Sequence, residues 1–101
     1  MSRRRLRDEI LGDLAEAASW YERRRRGLGL TFLEAVEATL LRIEDTPRQF
    51  PVVYRDLRRS LLPRPFPYQI LFRIHGDFVD IYAVLHTARN PEEWRRRRDL
   101  S

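Results

Sequence analysis

Four side chains in the last third of the chain are of types that do proton and phosphate chemistry: Arg73, Tyr82, His86 and Arg89. Arginine stabilises charge developing on a transferring phosphoryl group, and histidine or tyrosine can move the proton in the same step. Gathered on one surface, they would suit cleavage of RNA. The plain structural alternative is equally concrete. Arg73 would pair with Asp80, Tyr82 would pack on Leu71, and His86 would end a strand.

Other chemistries have no support. The two histidines, His75 and His86, lack partners at metal-ligand spacing. Gly27-Leu28-Gly29 joins two helical patterns and is not a phosphate loop. Ser19 and Ser60 lie in ordinary helical and strand contexts without a nucleophile elbow. No cofactor is expected.

The elements that would position these residues follow from periodicity. Residues 8–26 carry Ile10, Leu14, Ala17, Ala18 and Tyr21 on one helical stripe, with Trp20 beside it. Arg23 to Arg26 fall in the last turn, where positive charge suits the helix dipole, and Gly27 is expected as the C-cap. In the second helix Phe32, Leu33, Val36, Leu40 and Ile43 form the apolar face. Thr31 and Glu34 have capping-box spacing, although a start one turn earlier also fits, and Pro47 ends the helix. The short connection makes the pair an antiparallel hairpin. PRQFPVVYRD reads as a loop.

From residue 57 the period changes to two. LRRSLL is a strand ended by Pro63 and Pro65, followed by strands over 68–74 and 78–85. Gly76-Asp77 suits a two-residue turn that sets His75 opposite Phe78, Arg73 opposite Asp80 and Leu71 opposite Tyr82. One face then holds Tyr68, Ile70, Phe72, Ile74, Val79, Ile81, Ala83 and Leu85, and must meet the helices. Arg73, Asp80, Tyr82, Val84 and His86 take the other face, with Arg58 or Arg59 joining from the preceding strand. The expected fold is α+β: an N-terminal helical hairpin on one face of a small antiparallel sheet, with a short C-terminal helix from Asn90-Pro91.

At 101 residues, 43% hydrophobic and 35% charged, the chain reads as one domain, 1–101. It has no cysteine, compatible with a reducing cytoplasm, where we expect it. No apolar run is long enough for a bilayer, so no membrane role is expected. MSRRRLRDEIL faintly resembles a twin-arginine leader, but Asp8, Glu9 and Asp13 interrupt the apolar region such a signal needs. The net charge is +5, and all 20 basic residues are arginine. That favours an anionic partner, although a coding bias and simple solvation would also produce exposed arginines. Arg59, Arg73, His86, Arg89, Trp94 and the run Arg95, Arg96, Arg97 and Arg98 are the candidate contact residues. Trp94 could equally anchor the C-terminal segment, and the run could be a solvated tail.

DLAEAASWYE, GLGLTFLEAVEATLLRIEDTPRQFP and RRSLLPRPFPYQILFRIHGDFVDIYAVLHTARNPEEW together resemble the RelE/ParE toxin superfamily of bacterial type II toxin–antitoxin systems, most closely its ParE-like, plasmid-stabilisation branch. The resemblance rests on Trp20-Tyr21, Phe32, Pro47, Phe66-Pro67-Tyr68 and the spacing of His86, Arg89, Pro91 and Trp94. It implies a helical hairpin against a sheet. It also implies a short strand before the first helix, where this chain has only the polar SRRRL (residues 2–6); whether that stretch forms the strand is left open. Pro63 and Pro65 are an addition. Two mechanisms occur in the family. ParE-like members inhibit DNA gyrase without a known catalytic site. RelE-like members cleave messenger RNA in the ribosome with basic residues and a Tyr, His or Glu, for which Arg73, Tyr82, His86 and Arg89 would be the catalytic set here. The lysine-rich set of those nucleases is lacking. The expectation is therefore a gyrase poison first, a ribosome-dependent endoribonuclease second, and a non-toxic antitoxin-binding module third. The implied partners are a cognate acidic antitoxin, forming a toxin–antitoxin hetero-oligomer, and gyrase or the ribosome with its mRNA.

Overall fold

The computed structural model describes residues 3–100. In chain order it forms β1 (Arg3–Arg5), α1 (Asp8–Arg24), α2 (Leu28–Asp45), a 3-10 turn (Pro47–Gln49), β2 (Val52–Tyr54), β3 (Leu57–Leu61), β4 (Tyr68–His75), β5 (Phe78–His86) and α3 (Pro91–Leu100). The strands make one sheet in the order β1-β5-β4-β3-β2. The α+β architecture is the expected one, with two additions. The polar Arg3–Arg5 stretch does form the first strand, parallel to β5 with Arg5 beside Asp80, so the sheet is mixed. The segment expected as loop contains β2, which pairs with β3 at the opposite edge.

The helical hairpin is fixed by backbone geometry at its turn. Arg25, not Gly27, follows the last residue of α1 in extended conformation, and Gly27 at φ 87° starts α2. α2 thus begins a turn before Thr31, whose hydroxyl donates back to the Gly27 carbonyl. The orphan amides of its first turn meet a side chain from α1: Glu22 accepts from Gly27 N at 3.0 Å and from Gly29 N at 3.1 Å. Gly29 is required by the crossing itself, since a Cβ there would lie 2.6 Å from the Ala18 carbonyl oxygen.

Between hairpin and sheet lies the main core: Ile10, Leu14, Phe32, Val36, Leu40, Ile43, Ile70, Phe72, Val79, Ile81 and Val84 are all buried. At one end it becomes aromatic. Tyr21, Phe32, Phe66 and Tyr68 pack with centroids 5.0 to 6.3 Å apart. Leu33, expected on this face, is exposed instead.

The β4–β5 ladder begins in the expected register, with His75, Arg73 and Phe72 opposite Phe78, Asp80 and Ile81. It then slips. Leu71 pairs with Ala83 and Ile70 with Val84, leaving Tyr82 as an extra residue in a bulge. The alternation inverts past that point. Val84 joins the helix-side core, whereas Leu85 lies with Leu71 on the other side. His86, paired with Tyr68 and in ring contact with it at 5.3 Å, therefore sits on the helix side and not on the face of Arg73.

The second face of the sheet is covered as well. α3 folds back over it, and Trp94, 6% exposed, packs on the fully buried Leu57 and Leu71 with Tyr54 and Tyr82 around them. The molecule is thus layered as hairpin, sheet and single short helix.

Candidate functional site

Under and beside α3 the charged residues of the second face form a continuous chain. Arg98 donates to Asp56 at 2.7 Å, Asp56 faces Arg73 at 3.7 Å, Arg73 Nε meets Asp80 at 3.1 Å, and Arg7 reaches the same Asp80 oxygen at 3.8 Å. Asp80 is buried, and its second oxygen has no hydrogen-bond partner among the described residues. The last turn of α3 is tied down a second time: Tyr54 donates its hydroxyl to Asp99, and Arg55 pairs with the same carboxylate. The Tyr54 hydroxyl is the first cause holding the Asp99 carboxyl below its usual pKa.

Tyr82 shares this face, but its hydroxyl is engaged, donating to the Trp94 carbonyl at 3.3 Å. Burial pushes its pKa upward. His86 lies five residues further along the paired strand than Arg73, about 17 Å at ~3.3 Å per residue, and on the opposite side of the sheet. Its Nδ1 accepts from the Ala88 amide at 3.0 Å. Arg89, in the connection to α3, pairs with Glu93 at 3.2 Å.

Two clefts bring some of these residues together. One of ≈ 280 Å³ runs between the start of α1 and α3, with Tyr82, Arg89 and Arg97 opposite Arg7 and Asp13. The other, of ≈ 890 Å³, lies along α1 and the end of β5 and holds His86, Arg89 and Arg97 with Trp20, Tyr68 and Arg23. Arg73 lines neither. The four residues considered for RNA cleavage are therefore divided: Tyr82 and Arg89 in one cleft, His86 and Arg89 in the other, and Arg73 held between two aspartates.

The candidate contact residues are also sorted by the fold. Trp94 is an anchor. Arg98 is bound to Asp56, and Arg95 stacks over Tyr54 and Trp94 at 5.2 and 5.4 Å from the ring centroids. Arg59, opposite Leu71 on β3, is exposed, as are Arg96 and Arg97; none has a carboxylate partner among the described residues. Arg58 instead turns inward and donates to the carbonyls of Arg48 and Phe50. Sequence reasoning did not find Asp56, Asp99, Tyr54 or Arg7, because their pairings join segments far apart in the chain. The signal that did exist was the Arg73–Asp80 alternation.

Compared with known proteins, residues 5–91 match the family described as the ParE toxin of the type II toxin–antitoxin system parDE. The match ends at the first residue of α3. The chain is also similar to Toxin ParE2 of Mycobacterium tuberculosis, in strains CDC 1551 / Oshkosh and ATCC 25618 / H37Rv. Identity to each is 32% over 93 residues, covering 90% of this chain and 88% of theirs.

Proposed function

The chain belongs to the ParE toxin family of type II toxin–antitoxin systems, and from that premise we propose that it arrests growth by poisoning DNA gyrase and is silenced by a cognate acidic antitoxin. The observation that supports action by binding, rather than by catalysis, is the division of the acid–base candidates. A nuclease step needs its proton donor, proton acceptor and cation at one phosphate. Here the imidazole and the Arg73 guanidinium lie on opposite sides of the sheet, and the Tyr82 hydroxyl is spent on a backbone carbonyl.

An acidic antitoxin is supported by charge. Arg59 and Arg96 have no carboxylate partner among the described residues, so a partner's carboxylates would meet uncompensated cations. The resulting hetero-oligomer would reside in the cytoplasm, where gyrase acts.

Induced expression tests the reading. Growth should stop, gyrase-linked DNA breaks should accumulate, and co-expression of the antitoxin from the adjacent gene should restore growth. Purified protein should inhibit supercoiling by gyrase. Loss of translation with ribosome-dependent mRNA cleavage would instead establish the RelE-like activity. Unimpaired growth with soluble protein present would leave a non-toxic antitoxin-binding module.

A further inference from the structure

The larger cleft is floored by a chain of rings. Trp20 meets Tyr21 at 5.1 Å, Tyr21 meets Tyr68 at 6.3 Å, and Tyr68 meets His86 at 5.3 Å. Trp20 is 46% exposed, unusual for the largest apolar side chain in a small domain, and the Arg24 guanidinium lies over its ring at 4.3 Å from the centroid, so a base would share that ring with a cation. Arginines surround this floor. Arg23 and Arg97 line the cleft, and Arg64 lines an adjoining one that shares Pro65, Pro67 and Tyr68 with it. Arg25 and Arg26 extend the charge past the end of α1, and none of these five has a carboxylate partner among the described residues. Glu22, which could have offset them, is taken up by the amides of Gly27 and Gly29.

We infer that this cleft binds single-stranded DNA, with bases stacked on Trp20 and the Tyr68–His86 pair and phosphates held by Arg23, Arg97 and Arg64. Exposed rings bordered by guanidinium groups supply the two contacts that an unpaired strand uses. Two acids in the cleft, Asp13 and Glu16, decide between a polynucleotide and an acidic peptide. They repel a peptide's carboxylates and a strand's phosphates alike, but they can accept from the exocyclic amino groups of bases, donors that acidic side chains lack. Apart from Arg89, the remaining walls, Ala17, Pro65, Pro67, Val84 and Leu85, are apolar. They suit deoxyribose, whereas a 2′-hydroxyl would lie against them without a partner. A double helix would bring its bases already stacked on one another and could not use the rings. The site borders α3, which supplies Arg97, but it takes no member of the charge chain on the second face, and it does not depend on gyrase being the target.

The test is fluorescence anisotropy of a short labelled mixed-sequence oligodeoxynucleotide with the purified full chain. Binding should weaken with salt, with a log–log slope of about −0.7 for each phosphate neutralised. Trp20→Ala should weaken it about 5- to 100-fold, Trp20→Phe should recover part of the loss, and Arg23→Gln should reduce the slope by about 0.7. Both residues are exposed, so circular dichroism melting should show the variants folded. The inference is overturned by absence of binding at low salt, or by binding that ignores both Trp20→Ala and Arg23→Gln. It is equally overturned by tighter binding of duplex or of RNA of the same sequence. Competition by poly-glutamate at equal charge would assign the cleft to an acidic protein segment instead. Because the measurement uses toxin and oligonucleotide alone, its failure leaves the gyrase reading untouched, and the converse holds.

Discussion

The Tyr82 hydroxyl donates to the backbone carbonyl of Trp94 across 3.3 Å, joining β5 to the helix laid over it. Burial raises its pKa, so the group stays protonated and remains a donor at neutral pH. It is a fastening, and one of the two side chains considered for proton transfer is occupied in holding α3.

Tyr82→Phe should accordingly cost only about 0.5–1.5 kcal/mol, the net worth of one hydrogen bond, and leave growth arrest largely intact. His86→Ala should also retain most toxicity. Colony counts after induction, with soluble protein checked by blot, measure both. Loss of a true acid–base group removes about 10²–10⁴-fold in rate, enough to abolish arrest. Such a loss in a folded, antitoxin-binding variant would reverse the ranking of mechanisms.

Trp94 is the one buried residue of α3. The remaining ties are ion pairs and hydrogen bonds near the surface, and exposed pairs contribute little. Trp94→Ala should cost up to about 3–5 kcal/mol and release the helix. Hydrogen exchange would read this directly, as amides of residues 95–100 losing protection while those of α2 keep theirs. Retained protection there would mean that the charge chain holds α3 alone.

Phe72 is fully buried opposite Ile81, with the Phe50 ring 5.7 Å away. Phe72→Ala should remove about 3–5 kcal/mol from a domain whose total is about 5–15. Urea denaturation would show the midpoint falling steeply, and an unchanged midpoint would contradict this placement.

Glu22 gives a pH dependence. The Gly27 and then the Gly29 amides hold its carboxyl below the usual glutamate pKa. A depressed folded-state pKa contributes stability above the unfolded value, lost as pH falls through the folded one. Glu22→Ala should therefore melt lower than the parent near neutrality. The gap should narrow as pH falls below the unfolded value of about 4.3 and close once the folded carboxylate is protonated too. A gap independent of pH would mean that packing, not charge, makes the difference.

The hairpin and the β4–β5 turn were legible because each buries one face against water, and a single period is then enough to find them. β1 and β2 were not. Each has three residues, and β1 is three arginines whose strand state comes from the waiting edge of β5 and from Arg4's pairing with Glu37 and Glu44 of α2. The bulge was hidden for a different reason. Ile81-Tyr82-Ala83-Val84-Leu85 is apolar throughout, so either phase buries an apolar side chain and alternation cannot reveal a slip. That slip misplaced Val84, Leu85 and His86 together. Trp94 was correctly suspected as an anchor, but sequence could not say which surface it covers.

The bulge also means that β5 carries one residue more than its ladder consumes. Removing Ala83 would let Leu71 face Tyr82 while Ile70 and Gln69 kept Val84 and Leu85 as partners. A deletion inside a strand, ordinarily ruinous, would here straighten the ladder and preserve the side on which every later residue lies. An added residue would have no such refuge: absorbed without a second bulge, it would turn the imidazole onto the face of the sheet that carries Arg73. Length variation at this one point is thus asymmetric, with shortening silent and lengthening a change of surface chemistry.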